Sequence, residues 1–120
     1  MWCMLNQSVM RPRIAILNDL IGLKGELSNL KLELSEYAWD SESTLLTISK
    51  SSFISVAHRY LNDSLSDLEL EDWADTIECR DDIDFDSELI REYIYELANP
   101  SINGKITKGK VTKMVSDLAQ

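Results

Sequence analysis

The stretch that decides the fold is SDLELEDWADTIECRDDIDFDSELIREYIYELANP, residues 66–100. Its apolar residues recur every three or four positions on both sides of an aspartate-rich linker, a spacing that predicts two amphipathic helices. Ser66 and Glu69 match a capping box, in which each side chain accepts a hydrogen bond from a backbone amide at the helix start. Ser87 or Asp86 is the expected cap of the second helix. The stretch therefore predicts a pair of capped helices.

The apolar stripes of these two helices predict part of the core. The first helix should bury Leu70, Trp73, Ala74 and Ile77, and the second should bury Ile90, Tyr93, Ile94 and Leu97. Two further aromatic residues, Phe85 and Tyr95, lie off these stripes and are candidates for the surface. Aromatic residues are frequent anchors of protein–protein interfaces.

Negative charge is concentrated in the same part of the chain. Residues 61–96 contain 14 Asp or Glu residues against Arg80 and Arg91, and the whole chain has a net charge of -9. On amphipathic helices these acids form a folded anionic surface, whose self-repulsion destabilises the compact state. A cationic partner is the simplest functional reason to tolerate that repulsion. The carboxylates expected to bind the partner are Glu71, Asp72, Asp75, Glu78, Asp82, Asp84 and Asp86.

Composition argues against several functions and locations. A sequence pI near 4.5 argues against binding to nucleic acids or anionic membranes, which require a basic surface. No apolar run approaches the roughly 20 residues that span a bilayer. Cys3 and Cys79 lie far apart and are expected as reduced thiols of a cytoplasmic protein, with Cys79 buried. We expect residues 1–10 to be a leader or a disordered N-terminus, and residues 11–120 to form a single helical domain.

A heptad pattern runs along the N-terminal part of the chain. Residues 12–38 predict one long helix of roughly 40 Å. Its apolar seam consists of Ile16, Leu20, Leu23, Leu27, Leu30, Leu34 and Tyr37. Two interpretations stay open: the seam docks on the rest of its own domain, or it forms a homodimer through a parallel coiled coil of residues 16–37.

The remaining segments predict shorter elements. Residues 45–48 are either an extended segment or the lead into a helix that Ser51 or Ser52 caps. After a turn at Asn103-Gly104, Thr107 caps a final helix. The expected fold is all-α, a single domain of about five helices with a long N-terminal helix.

The aspartates of the linker have the spacing of calcium ligands. Asp82, Asp84 and Asp86 alternate as the first ligands of an EF-hand loop do. However, Ser87 occupies the position of the turn glycine, and Tyr93 that of the bidentate glutamate. We therefore expect a helix cap here and no metal.

Catalytic groups are scarce in the sequence. His58 is the only histidine, and no motif places a nucleophile and an orienting group beside it. The four glycines match no phosphate-binding loop. The sequence predicts neither an enzyme nor a cofactor.

Four short segments carry a resemblance to a known family. They are residues 71–78 (EDWADTIE), 80–83 (RDDI), 97–100 (LANP) and 102–104 (ING). In this pattern, residues 39–104 resemble small helical immunity proteins of contact-dependent growth inhibition and related polymorphic toxin systems. The resemblance implies a cytosolic protein that binds the C-terminal toxin domain of a delivered effector and blocks it. It transfers no binding residue, because such pairs diverge at their contact surfaces.

Two functions follow as hypotheses. The first is an immunity protein for a cationic toxin, which is a nuclease in many such systems and would fit the acidic surface. The second is a self-associating helical adaptor or regulatory module without a toxin partner, which the heptad seam favours.

Overall fold

The computed structural model describes residues 12–36 and 46–119, and helices dominate both ranges. The elements are α1 (Arg13–Gly22), α2 (Leu27–Leu34), β1 (Leu46–Ile48), α3 (Lys50–Leu61), α4 (Asp67–Glu78), β2 (Ile83–Phe85), α5 (Glu88–Ala98), α6 (Pro100–Asn103) and α7 (Lys108–Ala119). The helical prediction is confirmed in its coarse form, but the described ranges contain seven helices instead of about five, and a small sheet is added. The predicted leader, residues 1–10, lies outside the described residues. None of the helices in the described ranges is long and apolar enough to cross a membrane.

Serine caps start the two central helices, as the sequence predicts. Ser66 Oγ accepts a hydrogen bond from the Glu69 amide at 3.1 Å, and the Glu69 carboxylate accepts one from the Ser66 amide at 2.9 Å. Ser87 Oγ accepts one from the Ile90 amide at 3.3 Å, which selects Ser87 over Asp86 as the cap of α5. These bonds satisfy amides that a helix start leaves without an internal partner. Local sequence therefore determines where α4 and α5 begin.

Helices α3 and α7 begin at or near their predicted caps. In α3 the cap is Ser49, whose Oγ accepts from the Ser52 amide at 3.2 Å. The prediction of Ser51 or Ser52 was wrong by two or three residues. Thr107 precedes α7 as predicted, and its Oγ1 accepts from the Lys110 amide at 3.1 Å.

The predicted long N-terminal helix is wrong, because the chain forms two helices with a break after Gly22. Leu23 has a left-handed conformation with φ of 49°, and its amide donates to the Leu20 carbonyl at 3.0 Å. The Lys24 amide donates to the Asp19 carbonyl at 2.9 Å. These two bonds form a Schellman motif, which ends a helix by satisfying its last carbonyls.

Tertiary hydrogen bonds hold this break in place. Trp73 Nε1 of α4 donates to the Leu20 carbonyl at 2.8 Å. Arg59 Nη1 of α3 donates to the Leu23 carbonyl at 2.7 Å. Both donors are distant in sequence from α1, so the heptad pattern could not reveal them. Gly25 follows with φ of 85°, a conformation that favours glycine.

The heptad seam packs inside the chain's own core. Its buried residues are Ile16, Leu20, Leu23, Leu30 and Leu34. Leu27 is partly buried against the same cluster, and Tyr37 lies outside the described residues. Of the two interpretations of the seam, docking on its own domain is the one observed. A coiled-coil dimer would first have to expose this buried surface.

Two short parallel strands form a sheet that the sequence did not predict. Leu46 pairs with Ile83, Thr47 with Asp84, and Ile48 with Phe85. A parallel pair requires a long crossover, which α3 and α4 provide here. Strands of three residues are too short to show a period of two in the sequence. The linker between α4 and α5 therefore contains β2.

The core brings α3, α4 and α5 together through aromatic residues. Trp73 of α4 is fully buried, and its ring centroid lies 6.2 Å from that of Phe53. The Phe53 ring also lies 6.1 Å from Tyr93 of α5. The predicted inward stripes are confirmed, since the buried residues include Leu70, Trp73, Ala74, Ile77, Ile90, Tyr93, Ile94 and Leu97. The opposite face of α4 is consequently left to its acids.

Candidate functional site

The outer face of α4 carries four of the predicted carboxylates, and we call it the α4 acidic face. Asp72, Asp75 and Glu78 are exposed. Glu71 is partly exposed. Lys31 of α2 binds one of the four, with Nζ 2.7 Å from Asp72 Oδ1. Because both side chains of this ion pair are about half exposed, the pair contributes at most about 1 kcal/mol to the stability of the fold.

Three acids of this face, Glu71, Asp75 and Glu78, form no ion pair within residues 12–36 and 46–119. Glu71 and Asp75 stand four residues apart on one helix, where like charges repel each other. A cationic group from a partner would relieve this repulsion.

An exposed leucine lies beside these acids. Leu68 is 75% exposed and lines a cavity of about 420 Å³ with Glu71, Asp72, Asp75 and Ala98. Leu68 was not among the candidates from the sequence, although its position two residues before Leu70 already sets it apart from the apolar stripe. An apolar group framed by charges is a common arrangement in protein interfaces.

Asp82 corrects the prediction of an exposed binding residue. Its side chain is fully buried, and two arginines from different parts of the chain, Arg80 and Arg13, bind it. Arg80 donates from Nε to Oδ1 and from Nη2 to Oδ2, both at 2.8 Å. Arg13 of α1 donates from Nε to Oδ2 at 2.9 Å. Burial alone would raise the pKa of Asp82, but these hydrogen bonds and charges outweigh it and lower the pKa.

The other two aspartates of the linker remain closer to solvent. Asp84 is half exposed, lies 3.7 Å from Arg91 and accepts a hydrogen bond from the Phe85 amide at 2.8 Å. Asp86 is exposed. The three aspartates thus have three different environments, and the described residues contain no cluster of three side chains suited to holding a metal ion.

The two aromatic residues predicted for the surface line one cleft. This cavity, which we call the Tyr95 cleft, has a volume of about 530 Å³ and is lined by Glu78, Phe85, Arg91, Glu92, Ile94, Tyr95, Glu96 and Asn103. Tyr95 is 45% exposed, while Phe85 is partly buried. Glu78 belongs to both the cleft and the α4 acidic face, so the two sites adjoin. Glu92 and Glu96 were not among the candidates from the sequence, although their spacing of four beside Tyr95 was a usable signal.

The remaining candidate groups do not join this site. His58 is exposed on α3. Cys79 is exposed, so the prediction of a buried thiol was wrong. Desolvation, followed by the charges of Asp75 and Glu78, raises the pKa of the Cys79 thiol. A raised pKa leaves less of the nucleophilic thiolate at neutral pH.

Comparison with known proteins provides no relative: no protein-family model, no curated protein and no solved structure matches the chain.

Proposed function

We propose that the chain is a cytoplasmic immunity protein. It binds and neutralises the C-terminal toxin domain of a contact-dependent inhibition effector, a cationic nuclease. The observation that carries this proposal is the α4 acidic face, where Glu71 and Asp75 have no ion pair among the described residues and frame the exposed Leu68. The family resemblance of residues 39–104 supports the same class of protein.

The physical mechanism is electrostatic occlusion. A nuclease needs a basic cleft to bind phosphates, and an acidic surface is attracted to such a cleft from a distance. Opposite charges speed the encounter. In the complex, Leu68 and neighbouring apolar groups would lose their contact with water, which adds a short-range contribution to the affinity.

The test is neutralisation of a toxin domain, sought first in the open reading frame next to the gene of this chain. We expect the two proteins to co-purify, and excess immunity protein to abolish the toxin's activity. The association rate should fall steeply with added salt, because exposed charges steer the encounter. Full toxin activity in the presence of excess protein would refute the function.

A matched pair of variants tests the α4 acidic face itself. Asp75→Asn should weaken toxin binding roughly tenfold, while Glu36→Gln, which removes one charge from an exposed site outside this face, should change it less than about twofold. Binding assays at one fixed salt concentration give both values. Equal effects would mean that only the net charge matters and that the face has no specific role.

A further inference from the structure

The Tyr95 cleft combines an exposed aromatic ring with uncompensated carboxylates. Glu92 and Glu96 of α5 form no ion pair among the described residues. Glu78 of α4 lines the same cleft, and its two carboxylate oxygens accept long hydrogen bonds from Asn99 Nδ2, at 3.3 and 3.4 Å. The cleft lining therefore carries three acids.

The basic residue that lines this cleft is already engaged. The Arg91 guanidinium carbon lies 4.6 Å from the Phe85 ring centroid. Its Nε lies 3.1 Å from Glu88 Oε1, and its Nη2 lies 3.7 Å from Asp84 Oδ1. The guanidinium thus contacts an aromatic ring and two carboxylates, neither of which belongs to the cleft lining.

We propose that the Tyr95 cleft binds an arginine side chain of the protein partner, which stacks on Tyr95 and pairs with Glu92 and Glu96. The arrangement would repeat, between two proteins, the one that Arg91 makes within the chain. The inference rests on the proposed function, because it names the chemical group of the toxin domain that this surface recognises. A guanidinium suits the cleft better than an ammonium, because its planar fork can stack on a ring and bond two carboxylates at once.

The charge and lining of the cleft disfavour other occupants. An anion would meet the three acids at Glu78, Glu92 and Glu96. A neutral apolar ligand would bury those carboxylates without a partner, which is costly. Charge complementarity therefore selects a cationic group.

The direct test is a titration that needs no toxin. The nitrogen-15-labelled protein is titrated with the blocked peptide acetyl-Gly-Gly-Arg-Gly-Gly-amide and followed by NMR. We expect shifts of the amides around Phe85, Tyr95 and Glu96. The same peptide with citrulline in place of arginine keeps the shape without the charge, and it should bind at least about tenfold more weakly. Equal binding of the two peptides would overturn the inference.

Matched double variants locate the binding site. Glu92→Gln/Glu96→Gln should weaken peptide binding about tenfold. Glu71→Gln/Asp75→Asn removes the same charge from the α4 acidic face and should weaken it less than about threefold. If both variants weaken binding equally, general charge attraction explains the titration and the cleft is not a site.

The complex with the toxin domain separates this inference from the function on which it rests. Tyr95→Ala should weaken toxin binding about tenfold, and Tyr95→Phe should retain it because the ring remains. If Tyr95→Ala leaves toxin neutralisation unchanged, the inference that the cleft binds the toxin domain is overturned, whereas the proposed function is supported. Specific peptide binding without toxin neutralisation would support the cleft chemistry and overturn the proposed function.

Discussion

At the scale of single residues, Asp82 connects parts of the chain that are distant in sequence. Its carboxylate is fully buried between Arg80, which follows α4, and Arg13 at the start of α1. A buried carboxylate needs such partners, because an unpaired charge in the interior is strongly unfavourable. A role for Asp82 in holding α1 against the linker therefore replaces its predicted role in partner binding.

Removing this carboxylate should destabilise the protein far more than removing a neighbouring one. We expect Asp82→Ala to lower the free energy of unfolding by about 3 kcal/mol, because it removes the buried carboxylate that Arg80 and Arg13 both bind. Asp86→Asn, in the same linker but exposed, should change it by less than about 0.5 kcal/mol. Urea unfolding measures both values. Similar losses in the two variants would contradict the structural role of Asp82.

The same residue predicts a pH dependence. The folded state lowers the pKa of Asp82 below its usual value of 3.8. The folded state therefore binds this proton more weakly than the unfolded state does. The stabilisation is fully present well above pH 3.8 and is lost as the pH falls through the lower, folded-state pKa. In Asp82→Asn, the free energy of unfolding, measured as a function of pH, should lack the loss at acidic pH that the Asp82 carboxylate causes.

At the scale of elements, the N-terminal break is set by backbone conformation and by distant donors. Gly25 has φ of 85° in the segment between α1 and α2, whereas Gly109 lies inside α7. Apart from the adjacent residues and the local helix backbone, no atom of the described residues lies within 4 Å of a Cβ added at either position, so clashes with the rest of the fold do not complicate a substitution. The two glycines thus differ in backbone conformation alone.

Alanine at these two glycines should have opposite effects. Gly25→Ala should lower the free energy of unfolding by about 1 kcal/mol, because a left-handed conformation is unfavourable for a residue with a Cβ. Gly109→Ala should raise it by about 0.5 kcal/mol, since alanine favours a helix over glycine. Denaturant unfolding of both variants provides the comparison. A stabilising Gly25→Ala would indicate a continuous N-terminal helix instead of the break.

At the scale of the whole molecule, the burial of the seam bears on self-association. The described seam residues, from Ile16 to Leu34, lie in or against a single core cluster shared by the helices. The exposed apolar residue Leu32 lies on α2 but outside that seam. The surface that would pair two copies is therefore already occupied within one chain.

We expect a monomer of 13.7 kDa in sedimentation equilibrium. Leu27→Lys should lower the stability without changing the mass, because Leu27 packs against the chain's own core. Leu32→Lys, at a residue that is 68% exposed, should change neither. A concentration-dependent dimer that Leu27→Lys abolishes would favour the homodimer and the adaptor function.

The sequence by itself determined the helical class and the central helices. Capping at Ser66 and Ser87 and the apolar stripes of α4 and α5 act over one to four residues, so a linear pattern contains them. The same periodicity placed Asp72, Asp75 and Glu78 on the outer face of α4. That part of the candidate site was predictable.

Only the tertiary structure decided the break after α1, the pairing of β1 with β2 and the burial of Asp82. Each depends on partners far away in the chain: Trp73 and Arg59 for the break, the opposite strand for the pairing, and Arg13 for Asp82. A local pattern has no access to such partners. The physical reason is that capping and amphipathic spacing are local, whereas a buried charge or a helix end is satisfied by whichever donor the fold brings near it.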